Sequence, residues 1–332
     1  MVKKRQRQFP EVTIIGNTSW GNTLGALLGD KGVRVKLWTR SEAEARELNR
    51  GRRSYSSTSR IEEALSEADL VIWAVPSQKL RENVAQAKDC LTNSMLLMSA
   101  TKGLEVSSGK RMSEVLAEEV APSLRGRICV ISGPNLAGEI ARGLPAASVI
   151  AAYDLASAER VRRLIESPKF VLSTSDDVIG VELGGALKNI IALGAGMIDG
   201  LGLGDNAKGA FIAWGWSEVV SLGVSLGARV GTFYGLAGLG DVITTCASTL
   251  SRNHYVGYEL AKGRPLAEVS ASMTHIAEGV ATTAAARQLV KNLGLKSPII
   301  NLIYGILFEG LPPGRVLSKF KGLVATDRSY LD

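Results

Sequence analysis

The sequence predicts a doubly wound, mostly parallel α/β sheet followed by an all-α C-terminal domain. In the first half, short apolar runs alternate with segments of helical periodicity, which is typical of parallel strands covered on both faces. From about Asp176 onward only helical patterns follow. The 332 residues are enough for two hydrophobic cores. We therefore expect a basic mobile arm over 1–10, an α/β domain over 11–178 and a helical domain over 179–332.

The individual elements follow from the same patterns. Seven apolar runs are expected to be strands, at residues 11–16, 33–39, 70–75, 94–100, 127–132, 146–152 and 169–174. The clearest helical patterns, two between strands and four in the second half, cover residues 78–89, 110–121, 178–201, 207–227, 277–294 and 297–310. The segment 178–201 is rich in small residues, so neighbouring backbones are expected to approach it closely.

Composition and charge narrow the class of protein. The net charge is +7 at pH 7, and the opening MVKKRQRQ holds four of the cations. This arm is expected to be solvated; the alternative is a nucleic-acid-binding tail, but no aromatic stacking residues lie among its charges. Cys90, Cys129 and Cys246 are too widely spaced for a zinc site or a disulfide framework. The longest apolar run, 298–308, is too short to span a bilayer. We predict a cytoplasmic protein with no metal, no nucleic-acid partner and no stable membrane insertion.

The stretch TIIGNTSWGNTLG at 13–25 places a glycine turn between a predicted strand and a helix. Gly16 and Gly21 hold the outer positions of the G-x-G-x-x-G pattern, which seats a pyrophosphate on a helix N-terminus in Rossmann-type domains. Thr18 replaces the middle glycine; either its hydroxyl donates to a phosphate oxygen or its methyl obstructs one. Arg40 follows the second strand, where arginine suits the 2′-phosphate of NADP and an acid suits the 2′-OH of NAD. The turn predicts NADP or NAD, with NADPH favoured; a bare structural turn and a solvated arginine are the alternatives.

Four further segments carry polar residues just past strand ends or inside the helical half. They are SATKGLE at 99–105, ISGPNLAGEIARGLP at 131–145, ELGGALKNIIALGAG at 182–196 and GLAGLGDVITTCASTLSRNHYVG at 235–257. Lys188 and Asn189 interrupt a mostly apolar helix. Lys188 therefore either extends its amine to solvent or belongs to a site.

In these motifs the chain closely resembles the NAD(P)-dependent glycerol-3-phosphate dehydrogenases of the bacterial type. The shared motifs follow the family's order from residue 12 to about 280: SWG, AVPS, TKGLE, SGPN, GGALKNIIALGAGM, GLAGLGD, SRN and AEG. The resemblance implies an oxidoreductase that reversibly transfers a hydride between NAD(P)H and dihydroxyacetone phosphate. The product, sn-glycerol 3-phosphate, feeds phospholipid biosynthesis and lipid metabolism. The resemblance also implies a homodimer.

The resemblance assigns roles residue by residue. Lys188 matches the family's proton acceptor, and Lys102 and Asp241 are grouped with it as catalytic residues. The implied substrate contacts are Lys102, Gly133, Asn135, Lys188, Asn189, Asp241, Ser251, Arg252 and Asn253. The implied cofactor contacts, together with the turn, are Gly16, Thr18, Ser19, Trp20, Gly21, Arg40, Lys102, Ala137, Arg252, Ile276 and Glu278. The α/β domain is thus expected to bind the dinucleotide, and the helical domain the substrate.

The residue types suit this chemistry. Oxidation of a secondary alcohol needs a base near C2, and His254 and His275 lie in polar stretches where we expect surface positions. A lysine can act as this base if desolvation and a nearby cation lower its pKa from about 10.4 towards about 7–8. Lys102 is suited to be that cation while it polarises the C2 oxygen. Arg252 and its neighbours have the donors to hold a phosphate.

Two departures from the family pattern concern the cofactor. Thr18, preceded by Asn17, stands in place of the more usual Ala-Gly, and the segment 40–65 is short and lacks the family's Leu-Pro loop. Two other functions therefore stay open. One is a related two-domain hydroxy-acid dehydrogenase, although a carboxylate substrate would not require the phosphate cluster around Arg252. The other is a non-catalytic cofactor-binding relative, which Thr18 suggests; we nevertheless expect the cofactor to bind.

Overall fold

The computed structural model describes residues 10–51, 53–273 and 276–316, which form two compact units. The first unit takes the described residues up to Thr101 together with Ser113–Ile131 and Asn135–Val178. The second takes Lys102–Met112, Ser132–Pro134 and the described residues from Ile179 onward. Two short segments of the first half of the sequence therefore belong to the second unit. The predicted arm, apart from residue 10, and His275 lie outside the described residues.

The described part of the first half forms one sheet of eight strands in the order β3-β2-β1-β4-β5-β6-β7-β8. Pairing is parallel between β3 and β2, β2 and β1, β1 and β4, β4 and β5, β5 and β6, and β7 and β8. The strands are β1 (Glu11–Ile15), β2 (Arg34–Trp38), β3 (Ser56–Thr58), β4 (Leu70–Trp73), β5 (Leu96–Ser99), β6 (Ile128–Ser132), β7 (Ala146–Ala152) and β8 (Phe170–Ser175). The predicted fold class is confirmed.

Helices connect these strands and make up the second unit. Those of the first half are α1 (Ser19–Asp30), α2 (Glu42–Arg50), α3 (Ile61–Leu65), α4 (Leu80–Ala87), α5 (Met112–Glu119), α6 (Ala137–Ala141) and α7 (Leu155–Ile165). Those of the second half are α8 (Val178–Gly200), α9 (Gly204–Ser225), α10 (Val230–Phe233), α11 (Asp241–Ala247), α12 (Arg252–Ala261), α13 (Leu266–Ala271), α14 (Glu278–Leu293) and α15 (Pro298–Phe308). All six predicted helical segments are helical.

One strand, β3, was not predicted. Its three residues Ser56–Thr58 are polar and, among the strands that the structure describes, pair only with β2 at the edge of the sheet. Neither an apolar run nor an apolar–polar alternation marks such a strand in the sequence.

The central helix of the second unit is α8, and nearly all of its residues are buried. Its length and apolar composition would allow it to cross a membrane, but 89% of its most apolar window is buried inside the protein. That burial is the property of a core helix in a globular unit. The predicted apolar run at the end of the chain likewise forms a largely buried helix, α15.

Helices α8 and α12 are in direct backbone contact. A Cβ atom on Gly257 would lie 1.9 Å from the carbonyl oxygen of Leu193, and one on Gly196 would lie 2.0 Å from that of His254. Only glycine fits at either position, because real Cβ contacts do not fall below about 3 Å. The small residues of the predicted segment 178–201 thus set the spacing of these two helices.

A buried carboxylate caps helix α15. Glu218 on α9 is 1% exposed and accepts hydrogen bonds from the backbone N–H groups of Ile299 (2.7 Å) and Ile300 (3.0 Å). These two N–H groups lie in the first turn, where a helix leaves its donors without intrahelical partners. Burial raises the pKa of Glu218 to about 7, although both hydrogen bonds act in the opposite direction.

Candidate active site

The glycine turn between β1 and α1 lies where the strand order reverses, between β1 and β4. In open α/β sheets a ligand binds at this position, beyond the C-terminal ends of the strands. Gly16 has φ of +121°, and a Cβ atom there would lie 2.6 Å from the carbonyl oxygen of Ala74. A Cβ atom on Gly21 would lie 2.3 Å from the carbonyl oxygen of Gly16. The two outer glycines of the motif are therefore required by the backbone, and the turn has the compact shape that a dinucleotide site needs.

Thr18 is compatible with this turn because its backbone is extended, with φ of −115° and ψ of 163°. Its Oγ1 donates a hydrogen bond to the carbonyl oxygen of Ala74 (2.8 Å) and accepts one from the N–H of Gly21 (3.0 Å). The hydroxyl hydrogen is thus used inside the protein. Because this single hydrogen already has an acceptor within the protein, donation to a phosphate oxygen would require the bond to Ala74 to break.

The other predicted cofactor residues of the first unit lie around this turn or follow neighbouring strands. Ser19 and Trp20 form the start of α1, and Trp20 packs edge-on against Phe170 at a centroid distance of 6.2 Å. The carbonyl oxygen of Ala137 lies 3.4 Å from the hydroxyl of Thr23 on α1. Arg40 follows β2, is exposed, and lies 3.8 Å from the carboxylate of Glu82.

Two lysines share one carboxylate in the second unit. Lys102 Nζ lies 2.6 Å from Asp241 Oδ2 and donates to the carbonyl oxygen of Gly133 at 2.7 Å. Lys188 Nζ lies 2.9 Å from Asp241 Oδ1. Asp241 is 1% exposed and Lys188 is 7% exposed. Four residues that the resemblance assigned to the substrate therefore form a single buried cluster with one excess positive charge.

The first residue of α11 brings Asp241 into this cluster. The preceding Leu236–Gly240, from the GLAGLGD motif, forms a π-helical turn, a feature that often occurs at functional sites. Close packing places α8 beside it, since a Cβ atom on Gly184 would lie 2.6 Å from the carbonyl oxygen of Ala237. The glycines of the motifs thus allow the helices that carry Lys188 and Asp241 to meet.

The segment that carries Lys102 is held to α8 by an ion pair. Leu104 and Arg111 form an antiparallel bridge, which closes the segment into a short loop. Arg111 Nη1 lies 2.6 Å from Glu182 Oε2, and both side chains are largely buried. Glu182 lies on the same helix as Lys188, so this pair fixes the Lys102 segment relative to that helix.

Burial lowers the pKa of the Lys102 amine to about 8. The neighbouring charge of Lys188 acts in the same direction, whereas Asp241 raises the pKa. A lysine with this pKa changes protonation within the range in which enzymes work. The sequence predicts Lys102 only as the cation that neighbours Lys188; in the structure, burial brings the pKa of Lys102 itself into this range.

Sequence reasoning missed Thr245 as a member of this cluster. Its hydroxyl accepts a hydrogen bond from Lys188 Nζ and donates one to the backbone carbonyl of Asp241 at 2.7 Å. Thr245 lies four residues after Asp241 on α11, and residues at this spacing share one face of a helix. That spacing was the signal available in the sequence.

A second group of predicted residues lies at the N-terminus of α12. Ser251 is the N-cap, with its hydroxyl accepting from the N–H of His254 at 3.2 Å. Arg252 is the exposed first residue of the helix, and its Nη1 lies 3.5 Å from the carbonyl oxygen of Ile276. A guanidinium at a helix N-terminus adds its charge to the positive end of the helix dipole. This end of α12 therefore has the charge and the donors that a phosphate group requires.

The two predicted asparagines connect this helix end to the lysine-bearing helix. Asn253 Nδ2 donates to Asn189 Oδ1 at 2.8 Å, and Asn253 Oδ1 accepts from the N–H of Gly279 at 2.9 Å. Gly279 lies in the first turn of α14, which begins at Glu278. Asn253 therefore joins α8, α12 and α14 and holds Arg252 in place beside Ile276.

The expectation that His254 lies at the surface is wrong. His254 is 7% exposed, and its Nε2 lies 2.7 Å from Asp199 Oδ2 near the end of α8. The polar sequence around His254 predicts a surface position, but Ser251 and Asn253 are buried as well, because their side chains bond within the protein. Asn135, the remaining predicted substrate residue, belongs to the first unit, where its Oδ1 accepts from Ser148 Oγ at 2.6 Å.

The fold class and these two sites define a dehydrogenase of the NAD(P)-dependent class. Two family models cover most of the chain: the NAD-dependent glycerol-3-phosphate dehydrogenase N-terminus matches residues 11–158, and the C-terminus of the same enzyme matches residues 177–318. The chain belongs to the NAD(P)-dependent glycerol-3-phosphate dehydrogenase family.

Known proteins agree with this assignment. The chain is 49% identical over 322 residues to the glycerol-3-phosphate dehydrogenase [NAD(P)+] of Dehalococcoides mccartyi strain 195, covering 93% of this chain and 90% of that protein. It is 42% identical to the protein of that name from Moorella thermoacetica, covering 91% and 93%. The crystal structure of the Coxiella burnetii glycerol-3-phosphate dehydrogenase aligns with a TM-score of 0.88 at 30% identity, covering 94% of this chain and 98% of that one. The chain is accordingly an NAD(P)-dependent oxidoreductase that interconverts dihydroxyacetone phosphate and sn-glycerol 3-phosphate.

Proposed function

We propose that the buried cluster of Lys102, Lys188 and Asp241 performs the proton chemistry at C2 of the substrate. The observation that supports this proposal is the sharing of one buried carboxylate by two ammonium groups, at 2.6 and 2.9 Å. Two cations and one anion leave an excess positive charge, which stabilises negative charge that develops on a substrate oxygen. The cluster lies within the second unit, which the sequence assigned to the substrate.

Each lysine has a donor for the substrate. An ammonium group carries three N–H donors. Within the described residues Lys102 uses two, to Gly133 and Asp241, and Lys188 uses two, to Asp241 and Thr245. When bound, the nicotinamide supplies or accepts the hydride at C2. Lys188 gives a proton to the C2 oxygen in the reducing direction and takes it back in the oxidising direction, while Lys102 donates a hydrogen bond that polarises the carbonyl.

The phosphate of the substrate is proposed to bind at the start of α12. Arg252 supplies a bidentate charged donor, and Ser251 and Asn253 fix the helix end on which it lies. The connection from Asn253 to Asn189, which follows Lys188, keeps the phosphate site at a constant distance from the proton-transferring amine. A rigid link of this kind favours substrates with one fixed spacing between phosphate and carbonyl.

We further propose that NADPH is preferred over NADH. Arg40 is exposed after β2 and has no carboxylate closer than the 3.8 Å contact with Glu82 among the described residues. A guanidinium at this position suits a 2′-phosphate. Residues 11–178 are proposed as the dinucleotide-binding domain and 179–332 as the substrate domain.

The cellular role is a proposal on the same basis. We propose a cytoplasmic homodimer that supplies sn-glycerol 3-phosphate for phospholipid biosynthesis, with neither a nucleic-acid nor a membrane partner. Size-exclusion chromatography with light scattering tests the homodimer, and a monomer at micromolar concentration would contradict it.

The proposed chemistry is tested by following NADPH oxidation with dihydroxyacetone phosphate. Wild-type protein is expected to turn over this substrate and to discriminate against hydroxy- and keto-acids. Lys188→Ala is expected to lower kcat by about a hundredfold or more while cofactor binding is retained. Near-normal turnover in this variant would remove Lys188 from the mechanism, and activity on keto-acids alone would favour the hydroxy-acid dehydrogenase alternative.

A further inference from the structure

Thr18 replaces the middle glycine of the dinucleotide turn, and the role proposed for it below rests on the proposed function of that turn. The middle glycine of the common pattern lets a pyrophosphate approach the backbone closely. A bulkier residue there is expected to weaken binding unless it contributes something in return. In this chain the side chain is fully used within the protein, by one donated and one accepted hydrogen bond.

The donated bond fastens the turn to the neighbouring strand. Gly16 N–H bonds to the carbonyl oxygen of Trp38 on β2 at 3.3 Å, which holds one side of the turn. Thr18 Oγ1 bonds to the carbonyl oxygen of Ala74, directly after β4, at 2.8 Å. The turn is thus fixed to the strands on both sides of β1. Without the hydroxyl, only the first of these two attachments remains.

The same bond completes the pairing of the carbonyl groups at the C-terminal end of β4, those of residues 73–75. Thr101 Oγ1 donates to the carbonyl oxygen of Val75 at 2.8 Å and lies 3.3 Å from that of Trp73. Thr18 supplies the donor for Ala74, which lies between them. An unpaired carbonyl oxygen at this edge would present the negative end of its dipole where an anion binds. The two threonines therefore make the edge more favourable for a pyrophosphate.

The accepted bond orders the first turn of α1. Thr18 is the N-cap of this helix, and its Oγ1 receives the N–H of Gly21. N-cap threonines stabilise the first turn of a helix, whereas glycine in the same position provides no acceptor. A helix N-terminus that is ordered before the ligand binds loses less conformational entropy when it binds.

We propose that Thr18 is a positioning residue for the dinucleotide. Its hydroxyl bonds the turn to the end of β4 and caps α1. The side chain therefore fixes the conformation of the turn before the dinucleotide binds. Thr18→Gly restores the G-x-G-x-x-G motif, which by itself would suggest tighter binding. We expect this variant to bind the cofactor more weakly.

The test measures the dissociation constant of NADPH by fluorescence, together with kcat and KM, in four variants. Thr18→Val keeps the shape but removes the hydroxyl, and it is expected to raise the dissociation constant about tenfold. Thr18→Gly is expected to weaken binding in the same direction, while Thr18→Ser stays within about threefold of wild type because it keeps both hydrogen bonds. A rise in the KM for NADPH is expected to accompany the weaker binding of Thr18→Val and Thr18→Gly.

Thr23→Val is the matched control. Its hydroxyl also lies on α1, donates to the carbonyl oxygen of Ser19 at 2.9 Å and lies 3.4 Å from that of Ala137, but it neither caps the helix nor reaches β4. Equal weakening by Thr18→Val and Thr23→Val would overturn the proposal, and so would tighter binding by Thr18→Gly. If Thr18→Val does not fold, Thr18→Ala carries the same expectation. Absence of NADPH binding by wild-type protein would instead overturn the proposed function and this inference with it.

Discussion

Neutralising Asp241 by the substitution Asp241→Asn is expected to move the pH dependence of the reaction to lower pH. The Asp241 carboxylate raises the pKa of Lys102, whereas burial and Lys188 lower it, and the balance lies at about 8. Without the carboxylate only the lowering influences remain. Lys102 must be protonated to donate to the substrate carbonyl, so the basic limb of kcat/KM for dihydroxyacetone phosphate reduction follows its pKa.

The structure sets the size of this change. Asp241 Oδ2 lies 2.6 Å from Lys102 Nζ, and an opposite charge at such a distance shifts a pKa by about 1–3 pKa units. The basic limb is therefore expected to fall from near 8 to about 7 or below. Removing one partner of a buried ion pair also costs about 3–5 kcal/mol of stability. Thermal unfolding must accordingly confirm that the variant is folded at the assay temperature.

The assay is the initial rate of NADPH oxidation between pH 5.5 and 9.5, with wild-type protein and two variants. Asp205→Asn is the control, because Asp205 is 95% exposed and lies 3.2 Å from a different lysine, Lys208. It removes a paired carboxylate of the same unit without touching the cluster and is expected to leave the profile unchanged. A folded Asp241→Asn protein whose basic limb stays at the wild-type pH, or moves upward, would refute the electrostatic role of Asp241.

Three further substitutions test other parts of the molecule. Arg252→Ala is expected to lower kcat/KM for dihydroxyacetone phosphate by about 10–100-fold, and far less for unphosphorylated dihydroxyacetone, so equal losses in steady-state assays would contradict a phosphate role. Arg40→Asp is expected to raise the KM for NADPH more than that for NADH, because it adds repulsion to a lost attraction; equal effects would make Arg40 a surface cation. Wild-type protein is expected to lose about 3 kcal/mol of stability between pH 4.5 and 7, because the raised pKa of Glu218 means that the folded state holds a proton which the unfolded state releases. Glu218→Gln is expected to remove this pH dependence. If the free energy of unfolding changes equally with pH in the wild-type protein and the variant, Glu218 is not its cause.

The strong hydrophobic periodicity of the sequence was sufficient to predict the fold class. Seven strands and six helical segments form as predicted, because buried parallel strands and amphipathic or buried helices leave long apolar patterns. The strand at 56–58 escaped because an edge strand of three polar residues is specified by its partner β2 rather than by its own composition.

The sequence placed Lys102, Lys188 and Asp241 in one candidate site, but it indicated neither Thr245 nor the hydrogen bonds that join these residues. The motifs identified Lys102, Lys188 and Asp241, but their spacing along the chain gives no indication that one carboxylate bridges both amines. Thr245 and the burial of His254 depend on which face of a helix meets its neighbour, which is a tertiary property. The sequence also could not predict that the Thr18 hydroxyl bonds to Ala74, because the two residues are 56 positions apart in the chain.

The assignment of Lys102–Met112 and Ser132–Pro134 to the second unit has a consequence for engineering this enzyme. The sequence suggests a simple exchange of modules, in which residues 11–178 are replaced by the cofactor domain of another dehydrogenase. Such a chimera would lose Lys102 and Gly133 together with the Rossmann sheet. The Asp241 carboxylate would then pair with only one of its two lysines, Lys188. A graft that preserves the chemistry must leave both short segments with the recipient. The two units are therefore separated by five cuts in the chain, at 101/102, 112/113, 131/132, 134/135 and 178/179, rather than by one.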